Sequence, residues 1–295
     1  MENAVNSFRE FLDFHGYTVT DSLLLRKLMM FLAYNIGNSV STTSIGNTLV
    51  SEGLLEDEQD KKDYLSTLYS ELYVKDIVER NGIEREDILN NILDFLASQI
   101  SSLTNPTKAA NAIASMRQEK VNSSLVSAYI QHTIDAFLIR MAQRYNVKGK
   151  SYFNYPNKYY YTDVGLRNAR LNYRQYNPDH IMENIIYNDL IRRGYSVDVG
   201  VVVDRRNGSY VQKEVDFVVN HGDRRLYIQS ALQMGTEQKE SAELDSLKLT
   251  GDFFKKIIVR MVKKMCPIRS AKYERQSRTA VGHCQRVEYI ASVTI

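Results

Sequence analysis

The sequence predicts an α+β protein, with a helical region followed by a module built on a mixed central sheet. Three observations predict it. Apolar residues recur at helical spacing through most of residues 24–139. From Ser196 to Asp204 the chain becomes a valine run broken only by Asp198 and Gly200, the pattern of a buried strand. Asn207-Gly208 then separates that run from a second one, and Asn-Gly is the strongest short signal for a hairpin.

Taken in order, the chain opens with a mixed stretch. Residues 24–53 follow, where Leu24 to Ala33 reads as an amphipathic helix broken at Gly37, and Thr43-Ser44 caps a second. Shifted by 64 positions, Phe31-Leu32-Ala33 falls on Phe95-Leu96-Ala97 and Asn47 on Asn111, so the segment recurs. Residues 1–60 are therefore expected to be a partial winged-helix-like repeat, and 61–86 a linker carrying the helix Tyr64–Val78. The second copy is fuller. Asp87 to Ser101, Lys108 to Met116 and Ser123 to Ile139 give three helices with a turn at Asn105-Pro106, a helix-turn-helix pattern. Val147 to Lys150, with strands at Tyr152-Phe153 and Lys158–Tyr161, would add a basic wing, so 87–161 is expected to be a winged helix. Lys148, Lys150, Lys158 and Arg167, with Arg170 and Arg174 beyond, are the candidate nucleic-acid contacts. Cations on phosphates give affinity without sequence preference. The expected partner is double-stranded DNA or a protein, because Asn122–Ile130, the expected recognition helix, carries no Lys or Arg.

Residues 162–260 form the strand-rich module. His180 to Tyr187 is a helix that includes Glu183, and the return strand contains Glu214-Val215-Asp216. Alternation puts Glu214 and Asp216 on one face, and Gln229 and Ala231 on one face of the next strand. Phe253 to Val259 reads as a last strand. Residues 261–295, with scattered Arg and Lys, are expected to be a loosely ordered basic tail.

Composition sets bounds. A 43% hydrophobic and 25% charged chain is ordinary for a globular protein, and a net charge of +3 does not argue nucleic acid alone. Cys266 and Cys284 lack the paired spacing of a metal site or a disulfide framework. No apolar run approaches a membrane span, and no signal peptide opens the chain, so a cytoplasmic location without membrane contact is expected. Oligomeric state is not legible.

The acid on a helix, the acid on one strand and the polar pair on the next resemble the restriction-endonuclease-like fold. Its signature is a helix acid, a strand Asp and Glu-x-Lys. Laid on this chain, Glu183 and Asp216 match, while Gln229-Ser230-Ala231 stands where Glu-x-Lys belongs. The resemblance implies a divalent metal at Glu183, Asp216 and Gln229. It also implies a degenerate catalytic site, because Ala231 cannot steer a water. The landmarks Leu72–Arg80, Thr162–Asn168, His180–Tyr187, Arg192–Tyr195 and Glu214–Phe217 together resemble the C-terminal part of a prokaryotic AAA-type ATP-binding protein family, a winged helix followed by domain of unknown function 4143. That resemblance implies ATP only for full-length relatives, since no Gly-x-x-x-x-Gly-Lys-Ser/Thr loop occurs here. The expected function is thus a non-catalytic fragment that binds DNA or a partner, with weak Mg²⁺ binding at most. The alternative is a Mg²⁺-dependent DNA nuclease with a migrated catalytic Lys, for which Lys239 is the candidate.

Overall fold

The structure, a computed structural model, describes residues 58–206, 209–222, 224–232, 244–261 and 289–291. Residues 1–57 of the partial repeat expected at 1–60, the candidate Lys239 and most of the tail lie outside the described residues. The chain divides into two compact units, one of residues 1–141 and 159–176, the other of 142–158 and 177–295.

The first unit is helical. Helix α1 (Glu58–Leu68) runs through a π-helical turn (Tyr69–Val74) into α2 (Lys75–Asn81), which ends at Gly82 in the left-handed conformation. Helix α3 (Glu86–Ser98) buries Ile88, Leu89, Ile92, Phe95 and Leu96, the helical spacing read from the sequence. Helix α4 (Pro106–Arg117) starts with Pro at its first position. The Asn105 side chain accepts from the Lys108 N–H at 2.7 Å, which satisfies one of the free donors of the first turn. Helix α5 (Ser123–Asp135) follows, capped by Asn122. After two strands, Asp163 caps the short helix α6 (Val164–Arg170). Ile77, Leu93, Ile113, Val126 and Leu166 join one core.

Strands β1 (Ile139–Asn146), β2 (Ser151–Tyr161), β3 (Ser196–Arg206), β4 (Ser209–His221), β5 (Arg224–Ala231), β6 (Lys255–Met261) and β7 (Tyr289–Ala291) make a mixed sheet in the order β2-β1-β3-β4-β5-β6-β7. Two corrections follow. The expected wing strands are not an isolated wing, because β1 pairs in parallel with β3 and carries the hairpin into this sheet. The expected tail also contributes a strand, since Tyr289 to Ala291 pair antiparallel with Met261 to Val259. The hairpin read at Asn207-Gly208 is consistent with its flanks, where Arg206 pairs with Ser209.

In the second unit helix α7 (Pro178–Arg192) lies against β3, β4 and β5. The opposite face of the sheet carries Val202, Val215, Val218, Tyr227 and Ala231, packed with Tyr145, Leu247 and Ile258. Val215 and Val218 share that layer although two residues separate them. The register explains it: Gly200 pairs with Val215 but Asp198 with Val218, so Asp216 and Phe217 together oppose Val199 in a β-bulge. Phe217 therefore meets Tyr187 of α7, with ring centroids 6.4 Å apart.

Gly200 makes room for the bulge. A Cβ there would stand 2.8 Å from the Val215 Cβ and 3.2 Å from the Val215 backbone carbonyl oxygen. Gly200→Ala is expected to destabilise the protein by about 1–3 kcal/mol, the usual cost of overpacking, measured as a lower denaturant midpoint with unchanged slope. Phe95→Ala, which opens the core of the first unit, is expected to cost about 3–5 kcal/mol.

Candidate active site

Helix α7 turns Met182, Glu183, Ile186, Tyr187 and Leu190 inward, the i, i+4 and i+8 positions of one helical face with their neighbours. Glu183 is thus carried into the apolar contact between helix and sheet, where an unpaired carboxylate would be costly. It is paired. The ammonium of Lys158, from β2, donates to Glu183 Oε1 at 2.8 Å. The same Nζ lies 2.6 Å from Glu214 Oε1 and 3.6 Å from Asp216 Oδ1 on β4. Four charged side chains from three elements meet at one point, and only Glu214 is open to solvent, with about a third of its side chain exposed (32%).

The end of the β4–β5 ladder holds Asp216 in place. Regular pairing between these strands stops at Phe217 and Ile228. Beyond it, the Asp216 N–H donates to Gln229 Oε1 at 3.2 Å, and the Ser230 N–H donates to Asp216 Oδ2 at 2.8 Å. Side chains replace the missing ladder bonds, so the backbone donors at the splayed ends are satisfied. Asp216 keeps Oδ1 for the ammonium.

Electrostatics follow from burial. Burial pushes the Asp216 carboxyl above the usual carboxylate range, against the opposing pull of Lys158 and the Ser230 N–H. Burial likewise works against the Lys158 charge, but the carboxylates of Glu183, Asp216 and Glu214 outweigh it and hold the ammonium above the ordinary lysine range. Three formal negative charges against one positive leave the cluster anionic.

The residues singled out in the sequence are distributed unevenly. Glu183, Asp216 and Gln229 come together, with Asp216 and Gln229 on adjacent strands. Gln229 serves the Asp216 backbone. Ala231 belongs to the layer of Val218 and Tyr227 across the sheet from Phe217 and Tyr187. Lys148 and Lys150 are exposed in the β1–β2 turn. Lys158 and Arg167 are not surface cations. Lys158 is 4% exposed within the carboxylate cluster, and Arg167 is fully buried in the first unit, where Nε donates to the Ala97 carbonyl and Nη1 to the Gln175 carbonyl. Arg167 cannot meet a phosphate backbone from where it stands. Glu214, placed by alternation on the face of Asp216, is the site residue given no role by the sequence, and Lys158 the one misplaced as a surface cation. A usable signal existed for Lys158: it opens the run Tyr159-Tyr160-Tyr161, and a lysine entering a buried strand requires a partner. Among the described residues no three Asp, Glu, His or Cys side chains are arranged to hold a metal ion. Lys158 stands between the carboxylates instead.

Comparison with known proteins corrects the family resemblance. Residues 53–177 match a domain of unknown function, DUF8612, and no AAA-type model and no model of domain of unknown function 4143 matches. The expected ATP-binding relatives fall with that resemblance. The chain is similar to an uncharacterized protein of Haemophilus influenzae, 33% identical over 206 residues, which are 70% of this chain and 48% of the relative. It is also similar to uncharacterized protein MJ1544 of Methanocaldococcus jannaschii, 28% identical over 248 residues, 79% of this chain and 50% of the relative. The chain spans about half the length of these curated relatives. No solved structure matches it. No described helix is long and apolar enough to cross a membrane.

Removing the ammonium leaves three carboxylates facing one another. Lys158→Met is expected to cost about 3–5 kcal/mol near neutral pH, and the loss should shrink as acid protonates the carboxylates. In the native protein the folded pKa of Lys158 lies above its unfolded value of 10.5. Its contribution is therefore complete below that pH and lost as pH rises through the folded value. Denaturant titrations across this alkaline range should show a decline in the native protein that exceeds that of Lys158→Met.

Proposed function

We propose that the second unit is a restriction-endonuclease-like module that cleaves phosphodiester bonds in DNA with a divalent cation, and that Lys158 replaces the lysine missing at Ala231. The observation that carries this reading is the Lys158 ammonium, within 2.6–3.6 Å of carboxylate oxygens from α7 and β4. A nuclease of this type needs hard oxygen donors, a cation that stabilises charge developing at phosphorus, and a group that steers the attacking water. Asp216 and the partly exposed Glu214 are hard donors suited to Mg²⁺ and would hold it. When bound, the ion supplies Lewis-acid assistance to the phosphoryl group. Lys158 steers the water, whose oxygen forms the new bond to phosphorus and whose proton passes to solvent, as the bond to the leaving deoxyribose oxygen breaks and that oxygen takes up a proton. Its ammonium also offsets the added negative charge. Glu183 fixes Lys158 in position.

The pairing of Lys158 with all three carboxylates favours a second reading, in which the cluster is a structural ion network without catalysis. One assay separates the two. Plasmid nicking in Mg²⁺ or Mn²⁺ is expected for the native chain and expected to disappear in both Asp216→Ala and Lys158→Met, with circular dichroism confirming that each is folded. No nicking by the native chain, or nicking that survives Asp216→Ala, would leave the structural reading.

For the first unit, the order α3, α4, α5 supports a helix-turn-helix as a partner-binding module. The solvent-facing residues of α5 include Ser124, Ala128, Gln131 and Asp135 and no Lys or Arg. That favours a protein partner over duplex DNA at this helix, since phosphate contacts require cations.

A further inference from the structure

The sheet face away from α7 carries a second feature, independent of the carboxylate cluster and built from the second unit alone. The Tyr145 ring stands 5.1 Å from Tyr152. The Arg225 guanidinium lies over Tyr145 at 5.3 Å and over Phe254 at 5.6 Å, sandwiched between the two rings. Phe254 meets Tyr227 edge-on at 6.4 Å, and the Lys256 ammonium sits 5.7 Å over that ring. Rings and cations alternate across β1, β5 and β6. The phenols are held at their edges by carboxylates: Tyr152 donates to Asp198 at 3.0 Å and Tyr227 to Asp252 at 2.5 Å.

The row is covered in the middle and open at its ends. Tyr145 and Tyr227 are buried, whereas Tyr152 is 56% exposed, Phe254 42% and the adjacent Phe253 fully so. Lys148, exposed in the β1–β2 turn, places Cε 3.8 Å from where a Cβ on Gly251 would sit, beside the 252–254 loop. Open ring faces next to fixed cations suit a flexible polyanion whose own rings can stack. A single nucleic-acid strand has unstacked bases for the rings and phosphates for the cations. A duplex keeps its bases stacked inside and offers the rings nothing.

We propose that this face binds single-stranded nucleic acid by stacking bases on Tyr152 and Phe254, with Arg225 and Lys148 supplying the positive field. The test uses the full chain and a fluorescein-labelled oligo-dT in anisotropy titrations, beside a duplex of equal length. Single strand should bind more tightly than duplex and weaken as salt rises. Tyr152→Ala and Phe254→Ala should each weaken it on the order of tenfold, while Tyr152→Phe and Phe254→Tyr, which keep the rings, should retain binding. Tyr176→Ala, which removes an exposed ring of the first unit, should change nothing. Because the chain has no Trp, saturation with unlabelled oligo-dT should also quench its intrinsic tyrosine emission. Absence of binding, equal or tighter binding of duplex, unquenched emission at saturation, or an equal loss in Tyr176→Ala would each overturn the proposal.

Discussion

An ammonium held among three carboxylates constrains the second unit more than any other interaction. Lys158, Glu183 and Asp216 are each almost fully withdrawn from water, and none could be so alone. The lysine stem must therefore reach inward from β2, the acid of α7 must face the sheet, and β4 must present two acids on the same side. These demands account for the local departures from regular sheet. The β4–β5 ladder ends early, Gln229 completes the Asp216 N–H, and Asp216 completes the Ser230 N–H. A fully regular ladder would consume those donors and leave no opening at which the charges could meet.

Much of the fold was legible because its signals are periodic. The apolar spacing of α3, the Asn105-Pro106 start of α4 and the valine run of β3 each report a local preference that the packed structure keeps. The convergence of Glu183, Asp216 and Gln229 was legible for a similar reason, since alternation along strands constrains which residues can meet. Lys158 was not legible. Strand alternation says which side a residue takes, but not which neighbour a hairpin joins, and the parallel pairing of β1 with β3 is what brings β2 and its lysine to this unit. Strand β7 was hidden for want of pattern: Tyr289 to Ala291 is too short to show a period. The family resemblance failed on the same grounds, because it rested on short landmarks that are individually weak.

Arg167 makes a useful contrast with Lys158. Both read as surface cations, and both are buried, yet they are held differently, and the Arg167 Nη2 is left without a hydrogen-bond partner. Arg167 spends its fork on the carbonyls of Ala97 and Gln175 and on the Asn168 side chain, tying the end of α3 to the segment after α6. No carboxylate is among these bonds. Lys158 has a compact charge that three acids can share, whereas the planar guanidinium offers several directed donors suited to carbonyls spread over separate turns. Arginine here acts as a structural tie, and lysine as a point counter-charge.

The bulge at Asp216-Phe217 has an effect beyond the site. It shifts the alternation of β4 by one position, so that the strand is out of phase with itself across the break. Before it, the side turned to α7 carries Glu214, and after it Phe217. The ground beneath one helix is thereby split into a charged half and a dry half by a single extra residue. A deletion at that point would do more than remove a side chain. It would bring the two halves of the strand into a common phase and force one of them to exchange its faces, sending valines toward the acids or a carboxylate into the Val202 and Tyr227 layer. Length at this position is therefore under tighter control than identity: substitutions there test chemistry, while a one-residue change in length tests whether the sheet can form at all.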